Sequence, residues 1–175
     1  LRDCRYQTRR AERDGMPVSV EDVTPATFER LFAALVELHR ARWSERGDVG
    51  MLAPEMARFH HQAASRLLRE GLLRLHLLSL GGRPAAAFYG FHAAGETVFY
   101  LGGFDPRLAR FSPGKLVLAH AIEYAISHDR ARAFDLLRGA ESYKYLWGAV
   151  DRRLYKARLW LSASDAREVA RAHAA

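Results

Sequence analysis

The pattern of apolar positions predicts two amphipathic helices in the first half of the chain. Thr24 and Pro25 supply an N-cap and a first helical residue, and the apolar repeat behind them predicts a helix from Pro25 to about Arg46. A similar repeat predicts a second helix that begins at Pro54 and stops at Gly71. The apolar faces consist of Phe28, Leu31, Phe32, Leu35 and Trp43 in the first helix and Met56, Phe59, Ala63 and Leu67 in the second.

The next part of the chain loses the helical repeat and is typical of β-strands. Residues 72–80, 85–93 and 97–103 are separated by the short turns GGRP and AAGE, so we expect an antiparallel meander. A further short strand is predicted before the first long helix, at residues 18–21.

A third helix follows the meander, and shorter elements complete the chain. Ser112 is its expected N-cap and Pro113 its first residue, ahead of an apolar face. Beyond it we predict a strand at 132–136, a loop with a helical turn at 138–148, a last strand at 153–161 and a terminal helix at 164–172. This order of elements indicates an α+β fold.

Length and composition favour one domain in a reducing compartment. A chain of 175 residues, 49% hydrophobic, buries one core, and it contains no stretch apolar enough to span a membrane. The single Cys4 excludes an internal disulfide, so we expect a cytoplasmic protein. Because the sequence opens on Leu1 and not on methionine, we expect it to be the C-terminal part of a longer chain whose N-terminal half is missing.

The chain has a net charge of +7 that is carried mostly by arginine, and five arginines, Arg2, Arg5, Arg9, Arg10 and Arg13, fall in the opening segment, residues 1–15, which we expect to be a basic helix that ends at Gly15. Such a charge favours anionic partners. No helix-turn-helix, zinc-finger or RNA-recognition signature accompanies it, so we expect no DNA partner. A solvated helix and a phosphate-bearing small molecule remain the two interpretations.

The segment RFSPGKL has the chemistry of an anion site at a helix start. Free backbone amides, the helix dipole and a glycine favour a bound phosphate, and Arg110 and Lys115 add positive charge. A nucleoside-triphosphate loop is excluded, because Ala109 and Leu116 stand where glycine and a hydroxyl residue are required. Ordinary helix capping by the same residues stays open at this point.

Two longer segments in order, YLGGFDPRLARFSPGKLVLAHAIEYA and FDLLRGAESYKYLWG, resemble the GNAT acyltransferase superfamily. The similarity runs over residues 41–148 and is greatest to the CelD-like branch, associated with cellulose biosynthesis and related to the FemAB-like transferases. It implies a GNAT-like acyl-CoA N-acyltransferase fold, with a mixed, mostly antiparallel, splayed sheet flanked by helices.

The resemblance also implies a place for acetyl-CoA as co-substrate. Its pantetheine would follow a strand at Gly102 and Gly103, where members of the superfamily distort the strand to aim an amide at the thioester carbonyl. Its pyrophosphate would lie at the following helix start, although the spacing here departs from the general phosphate signature of the superfamily. The implied cofactor-binding residues are Tyr100, Leu101, Gly102, Gly103, Arg110, Ser112, Gly114 and Lys115.

Catalytic residues are implied by the YK pair of the last segment. The resemblance makes Lys144 the stabiliser of negative charge and Tyr143 the acid that protonates the leaving thiolate, with Asp135 to orient Lys144 or Arg138. A salt-bridged loop that closes the sheet edge is the structural alternative. The expected acceptor-binding residues are His39, Arg42, Arg138 and Glu141.

The function expected from these features is transfer of an acyl group from acyl-CoA to a primary amine of a polar acceptor related to the cell envelope or to polysaccharides. An aminoacyl-tRNA-dependent transferase of FemAB type and a degenerate GNAT domain that acts as a binding module in polysaccharide synthesis remain alternatives. We expect no metal, because His60 and His61 are adjacent and His120 and His128 are eight residues apart, so neither pair is a natural chelate.

Overall fold

A five-stranded sheet organises the first of two compact parts of the chain, residues 1–139, and residues 140–175 form the second. The computed structural model describes residues 2–44, 47–48 and 50–155. The strands are β1 (Val18–Asp22), β2 (Leu73–Leu80), β3 (Arg83–Ala93), β4 (Glu96–Phe104) and β5 (Ala133–Asp135). They lie in the order β1-β2-β3-β4-β5, antiparallel except for the parallel pair β4–β5. The expected mixed, mostly antiparallel sheet and meander are confirmed.

Helices flank this sheet and one short helix follows it. The helices are α1 (Arg2–Arg13), α2 (Phe28–Ser44), α3 (Pro54–Arg69), α4 (Pro113–Ser127) and α5 (Ser142–Leu146), with a 3₁₀ helix at Pro106–Phe111. Of these helices, α5 belongs to the second part, of which residues 140–155 are described. Within the described residues, none of the helices combines the length and the apolar character that a membrane crossing requires.

Helix α2 begins three residues later than its sequence pattern predicts. Thr24 does accept a hydrogen bond from the backbone N–H of Thr27, at 3.3 Å, but the residues between them form a turn. The backbone N–H of Phe28 then donates to the carbonyl of Thr24, at 3.0 Å, and the helix starts there. The Thr-Pro pair therefore marks the turn that leads into the helix.

Alternating residues of the central strands supply two packed faces. On one face, Leu75 of β2 and Tyr89 of β3 join a buried cluster formed with α2 and α3. On the other face, His76 and Phe88 lie beneath α4, which packs across β2 and β3. The sheet thus separates α2 and α3 from α4.

The predictions for the end of the chain fall mostly outside the described residues. Residues 153–155 of the strand expected at 153–161 have no regular secondary structure. The remainder of that strand and the helix expected at 164–172 lie beyond residue 155.

Candidate functional site

The sheet opens between β4 and β5. Parallel pairing joins Glu96–Val98 to Ala133–Asp135 and ends at the pair Val98 and Asp135, whereas β4 continues to Phe104. Within the described residues, the second half of β4 pairs with β3 on one side and with no strand on the other. Backbone polar groups along such an edge are available to a ligand.

A β-bulge in β4 follows directly on the end of the β4–β5 pairing at Val98. Leu101 pairs with Tyr89 and Phe99 pairs with Gly90, so Tyr100 is the extra residue. Tyr100 and its neighbour Leu101 both pack on the α2–α3 face, whereas the ring of Phe99 turns to the other face, where it stacks on Phe88 at 4.9 Å. A bulge bends a strand and re-aims its backbone groups.

Gly90 makes room for the bulge from the neighbouring strand. A Cβ at this position would lie 2.2 Å from the carbonyl oxygen of Val98 and 2.8 Å from the ring of Phe88. Glycine inside a strand is a known sign of a bulge or of a close backbone approach, and this signal was available in the sequence.

Gly102 and Gly103, where the resemblance implies the strand distortion, lie against neighbouring backbone, and their implied role in binding the co-substrate stays a prediction. A Cβ on Gly103 would lie 2.2 Å from the backbone nitrogen of His39 and 2.4 Å from the carbonyl carbon of Leu38. A Cβ on Gly102 would lie 2.7 Å from the carbonyl oxygen of Ala87. These glycines let helix α2 and strand β3 approach β4, and the bulge itself lies before them.

His39 ties helix α2 to this part of β4. Its buried ring donates from Nδ1 to the carbonyl of Gly102, at 3.0 Å, and accepts at Nε2 from the backbone N–H of Met51, at 3.1 Å. Burial lowers the pKa of His39, and the bond to Gly102 opposes this only in part. Because Nε2 accepts a hydrogen bond and Nδ1 faces a carbonyl, the ring is the neutral tautomer with its proton on Nδ1. An acceptor-binding role for His39 stays a prediction.

Arg42 extends the same contact toward the end of β4. Its guanidinium carbon lies 5.3 Å from the ring centre of Phe104 and 5.9 Å from that of Trp43. Cation–π packing of this kind places the half-buried charge of Arg42 beside the last residue of the strand. Its predicted role in acceptor binding is not tested by these contacts.

The connection from β4 to α4 departs from the predicted capping. Ser112 has φ 53°, in the left-handed region, and its side chain makes no capping bond. Its carbonyl instead accepts from the N–H of Lys115, at 2.9 Å, and of Leu116, at 3.1 Å, while Pro113 opens the helix as expected. Gly114 follows with space around it, because a Cβ there would lie 3.5 Å from the ring of Phe104.

Two cations near the start of α4, Arg110 and Lys115, are paired with acids of the N-terminal segment. The ammonium of Lys115 binds the carboxylate of Asp3, and Arg110 lies 3.6 Å from the carboxylate of Asp14. Arg10 also donates to the carbonyl of Arg110, at 3.3 Å. An anion at the start of α4 would compete with these carboxylates for Arg110 and Lys115. The sequence argument did not foresee this, because it considered the arginines of the opening segment and not its acids.

Asp135 lies where the β4–β5 pairing ends. Its carboxylate accepts from the backbone N–H of Leu137, at 2.7 Å, in a turn where Leu137 has φ 59°. Arg138, predicted to contact the acceptor, follows with an exposed side chain. The bond to Leu137 fixes the direction of the chain as it leaves β5, and the predicted catalytic and acceptor roles remain predictions.

In the second part of the chain, α5 carries the YK pair. Glu141 binds Lys144 at 2.9 Å, and this bond lowers the pKa of Glu141. The hydroxyl of Tyr145 donates to Asp151 at 3.0 Å, and Tyr143 is exposed. These contacts lie within the second part, so they leave the roles predicted for Tyr143, Lys144 and Glu141 untested.

A groove of about 440 Å³ lies beside the 3₁₀ helix, on the β3 side of β4. It is lined by Glu37 and Ala41 of α2, by Arg83, and by the ion pair of Asp105 and Arg107. The hydrogen bonds from Arg107 hold the pKa of Asp105 below its ordinary value. The groove is a separate feature from the β4–β5 opening.

Comparison with known proteins agrees with this geometry. A family model described as an acetyltransferase (GNAT) domain matches residues 1–145. No curated protein matches the sequence. Several solved structures share the fold, and three of them illustrate it.

A possible acetyltransferase from Clostridium difficile 630 superposes with a TM-score of 0.57 at 10% identity, over 82% of this chain and 98% of that one. An aminoglycoside acetyltransferase, meta-AAC0020, from an uncultured soil metagenomic sample superposes with a TM-score of 0.55 at 10% identity, over 82% of this chain and 96% of that one. AAC(6')-Iy, solved with a CoA-containing bisubstrate analogue, superposes with a TM-score of 0.54 at 9% identity, over 82% of this chain and 99% of that one. The family match over most of the sequence, together with this shared fold, shows that the chain belongs to the GNAT acetyltransferase domain family.

Proposed function

We propose that this protein transfers an acetyl group from acetyl-CoA to a primary amine of a small polar acceptor. The observation that carries the proposal is the coincidence of the end of β4–β5 pairing, at Val98 and Asp135, with the bulge at Tyr100. Together these features leave a bent strand edge with available backbone groups, which suits a thioester that needs a hydrogen-bond donor on its carbonyl oxygen.

In this proposal the pantetheine chain follows residues 100–103, and the pyrophosphate lies at the start of α4. The positive end of the α4 dipole favours a phosphate group there, with the N–H of Gly114 nearby, because Pro113 has no N–H and those of Lys115 and Leu116 donate to the carbonyl of Ser112. Arg110 and Lys115 supply charge there, after exchange of their carboxylate partners Asp14 and Asp3 for phosphate oxygens. Binding should therefore weaken as salt is added.

The reaction needs a neutral amine, a polarised carbonyl and a proton for the thiolate. The amine nitrogen attacks the thioester carbon, the carbon–sulfur bond breaks, the nitrogen loses a proton and the CoA sulfur gains one. From the family resemblance we propose Tyr143 as the acid, Lys144 as the stabiliser of negative charge and Asp135 as an orienting group. A backbone amide of β4 is proposed as the oxyanion donor.

The acceptor class is proposed to be an amino sugar or a similar amine of the cell envelope or of a polysaccharide, as the CelD-like resemblance implies. The fold neighbours that act on aminoglycosides are compatible with an amino-sugar acceptor. A degenerate binding module is the second candidate, favoured by the carboxylates that neutralise Arg110 and Lys115. A FemAB-like enzyme would depend on aminoacyl-tRNA in place of acetyl-CoA.

Two measurements test the proposal. Calorimetric titration should show one acetyl-CoA bound per chain, and thiol release should rise when glucosamine or an aminoglycoside is added. Absence of binding by folded protein would reject the enzyme, binding without turnover would favour the module, and turnover only with aminoacyl-tRNA would favour the FemAB type.

Lysine substitutions separate binding from chemistry. Lys115→Ala should raise the KM for acetyl-CoA several-fold with little change in kcat, because a charge on the pyrophosphate is lost. Lys144→Ala, the same change outside the phosphate loop, should lower kcat by on the order of 10²-fold. Unchanged kcat in folded Lys144→Ala would remove that lysine from the mechanism.

A further inference from the structure

A carboxylate and two imidazoles from three separate elements meet on the α4 face of the sheet. Asp22 ends β1, His76 lies in β2 and His120 lies on α4. Nδ1 of His76 is 2.7 Å, and Nε2 of His120 is 2.8 Å, from the same carboxylate oxygen, Oδ1 of Asp22. One candidate ligand atom from each residue lies within 4.8 Å of the other two.

The fold itself positions two of these groups. The antiparallel register of β1 and β2 places Asp22 directly opposite His76. The ring of His76 is 2% exposed, and its centre lies 5.4 Å from the ring centre of Phe88 and 5.0 Å from that of Tyr124. A side chain held in this way by its neighbours loses little freedom when it binds a ligand, so the cluster is partly preorganised.

The cluster is open to water at Asp22 and His120. The side chains of Asp22 and His120 are 40% and 30% exposed, whereas that of His76 is buried. Arg74, a cation two residues from His76 on the same strand, is held by Asp129 through bonds of 2.7 and 2.6 Å. It is thereby engaged elsewhere, and a cation can enter from solvent.

We propose that Asp22, His76 and His120 form a binding site for a divalent first-row transition metal ion, with water in the remaining positions. Two imidazole nitrogens and one carboxylate oxygen are a recurrent ligand set for zinc and for ferrous iron. Metal–ligand bonds of about 2.0–2.2 Å in a tetrahedral site place the ligand atoms about 3.3–3.6 Å apart. The two nitrogens would therefore move away from Oδ1 of Asp22, from 2.7 and 2.8 Å, while the two nitrogens themselves already lie within 4.8 Å of each other. The proton that each imidazole now directs at Asp22 moves to the other ring nitrogen, through water, so that the metal binds the freed nitrogen of a neutral imidazole.

A metal here would cross-link β1, β2 and α4 at a distance from the chemistry. His76 lies in β2, and β3 separates that strand from β4. We therefore expect metal binding to stabilise the fold and to leave acetyl transfer unchanged. The sequence reading missed the cluster because it compared histidines close in sequence, whereas Asp22 is 54 residues from His76 and 98 from His120.

The test uses the tag-free chain, stripped with a chelator and dialysed against Zn²⁺. We expect one zinc per chain by elemental analysis and, at saturation, a rise in Tm of roughly 5 °C. Asp22→Asn and His120→Ala should weaken Zn²⁺ binding at least tenfold. His128→Ala, a change on an exposed histidine at the end of the same helix, should bind Zn²⁺ as the parent chain does.

The outcomes that overturn the proposal are equally specific. Failure of the parent chain to retain stoichiometric zinc, or zinc binding by folded His120→Ala equal to that of the parent, would reject the site. Addition of Co²⁺ to the parent chain provides a readout that needs no variant: visible absorption bands of a nitrogen-ligated ion support the site, and their absence rejects it. Because acetyl-CoA is not involved, these results are independent of the proposed acetyl transfer.

Discussion

Replacing Gly103 with alanine places a methyl group against the backbone of helix α2. The new Cβ would lie 2.2 Å from the nitrogen of His39 and 2.4 Å from the carbonyl carbon of Leu38, where ordinary contacts are 3.4–4 Å. Helix α2 would have to withdraw from β4 by about 1.2 Å, the difference between 3.4 and 2.2 Å. That shift would also stretch the bond between His39 and Gly102.

The cost follows from the rigidity of both partners. Overpacking a core by one methyl group costs about 1–3 kcal/mol, and contacts between two backbones place this change at the upper end. For a chain of this size, about 3 kcal/mol lowers Tm by roughly 6–12 °C. Thermal or urea unfolding followed by circular dichroism measures the loss.

Gly114→Ala is the matched control. The same methyl group there would meet the ring of Phe104 at 3.5 Å, an ordinary contact, in the first turn of α4. We expect unchanged or slightly higher stability, because alanine is favoured over glycine in helices. If Gly103→Ala left the stability unchanged and lowered only turnover, Gly103 would serve the reaction geometry and the packing argument would be wrong.

Three further substitutions probe neighbouring features. In Gly90→Ala the new Cβ would lie 2.2 Å from the carbonyl oxygen of Val98, so the variant should disturb the bulge. We expect kcat/KM for acetyl-CoA to fall by on the order of tenfold, and full activity in a folded variant would contradict this. His39→Phe keeps an aromatic ring but removes the hydrogen bonds of His39 to the carbonyl of Gly102 and to the N–H of Met51. The free energy of unfolding should fall by about 2–4 kcal/mol, and equal urea midpoints for parent and variant would show that neither bond contributes. The carboxylate form of Asp105 stabilises the fold because its folded pKa lies below 3.8, so this contribution is complete above about pH 4 and is lost as the pH falls through the folded pKa. Asp105→Ala should therefore lower Tm at pH 7 and flatten its acid dependence, and parallel curves for parent and variant would refute the assignment.

Local patterns in the sequence predict most of the elements of this fold. Apolar periodicity and the Gly and Pro signals identify α2, α3, α4 and the meander, because those signals act over a few residues. A boundary shifts where local bonding competes, as at Thr24, whose turn delays α2. The 3₁₀ helix, which Asp105 caps by accepting from the N–H of Arg107, is not among the predicted elements.

The site is less predictable because its decisive contacts join distant residues. The bulge at Tyr100 depends on the register between β3 and β4, which the glycines of β4 do not reveal. The pairing of Lys115 with Asp3 joins residues 112 positions apart. The family resemblance points to this strand and helix start as the acetyl-CoA site, which stays a prediction, whereas the close approach of α2 to Gly103 joins residues that are distant in the sequence.

Amide hydrogen exchange with and without acetyl-CoA tests the central claim most directly. If acetyl-CoA binds in the opening beside β4, saturation should slow exchange in residues 99–103 and in the first turn of α4, residues 114–116, because their amides gain a ligand or lose access to water. Unchanged exchange in both segments at saturating acetyl-CoA, or protection confined to the groove near Arg83 and Arg107, would contradict the account.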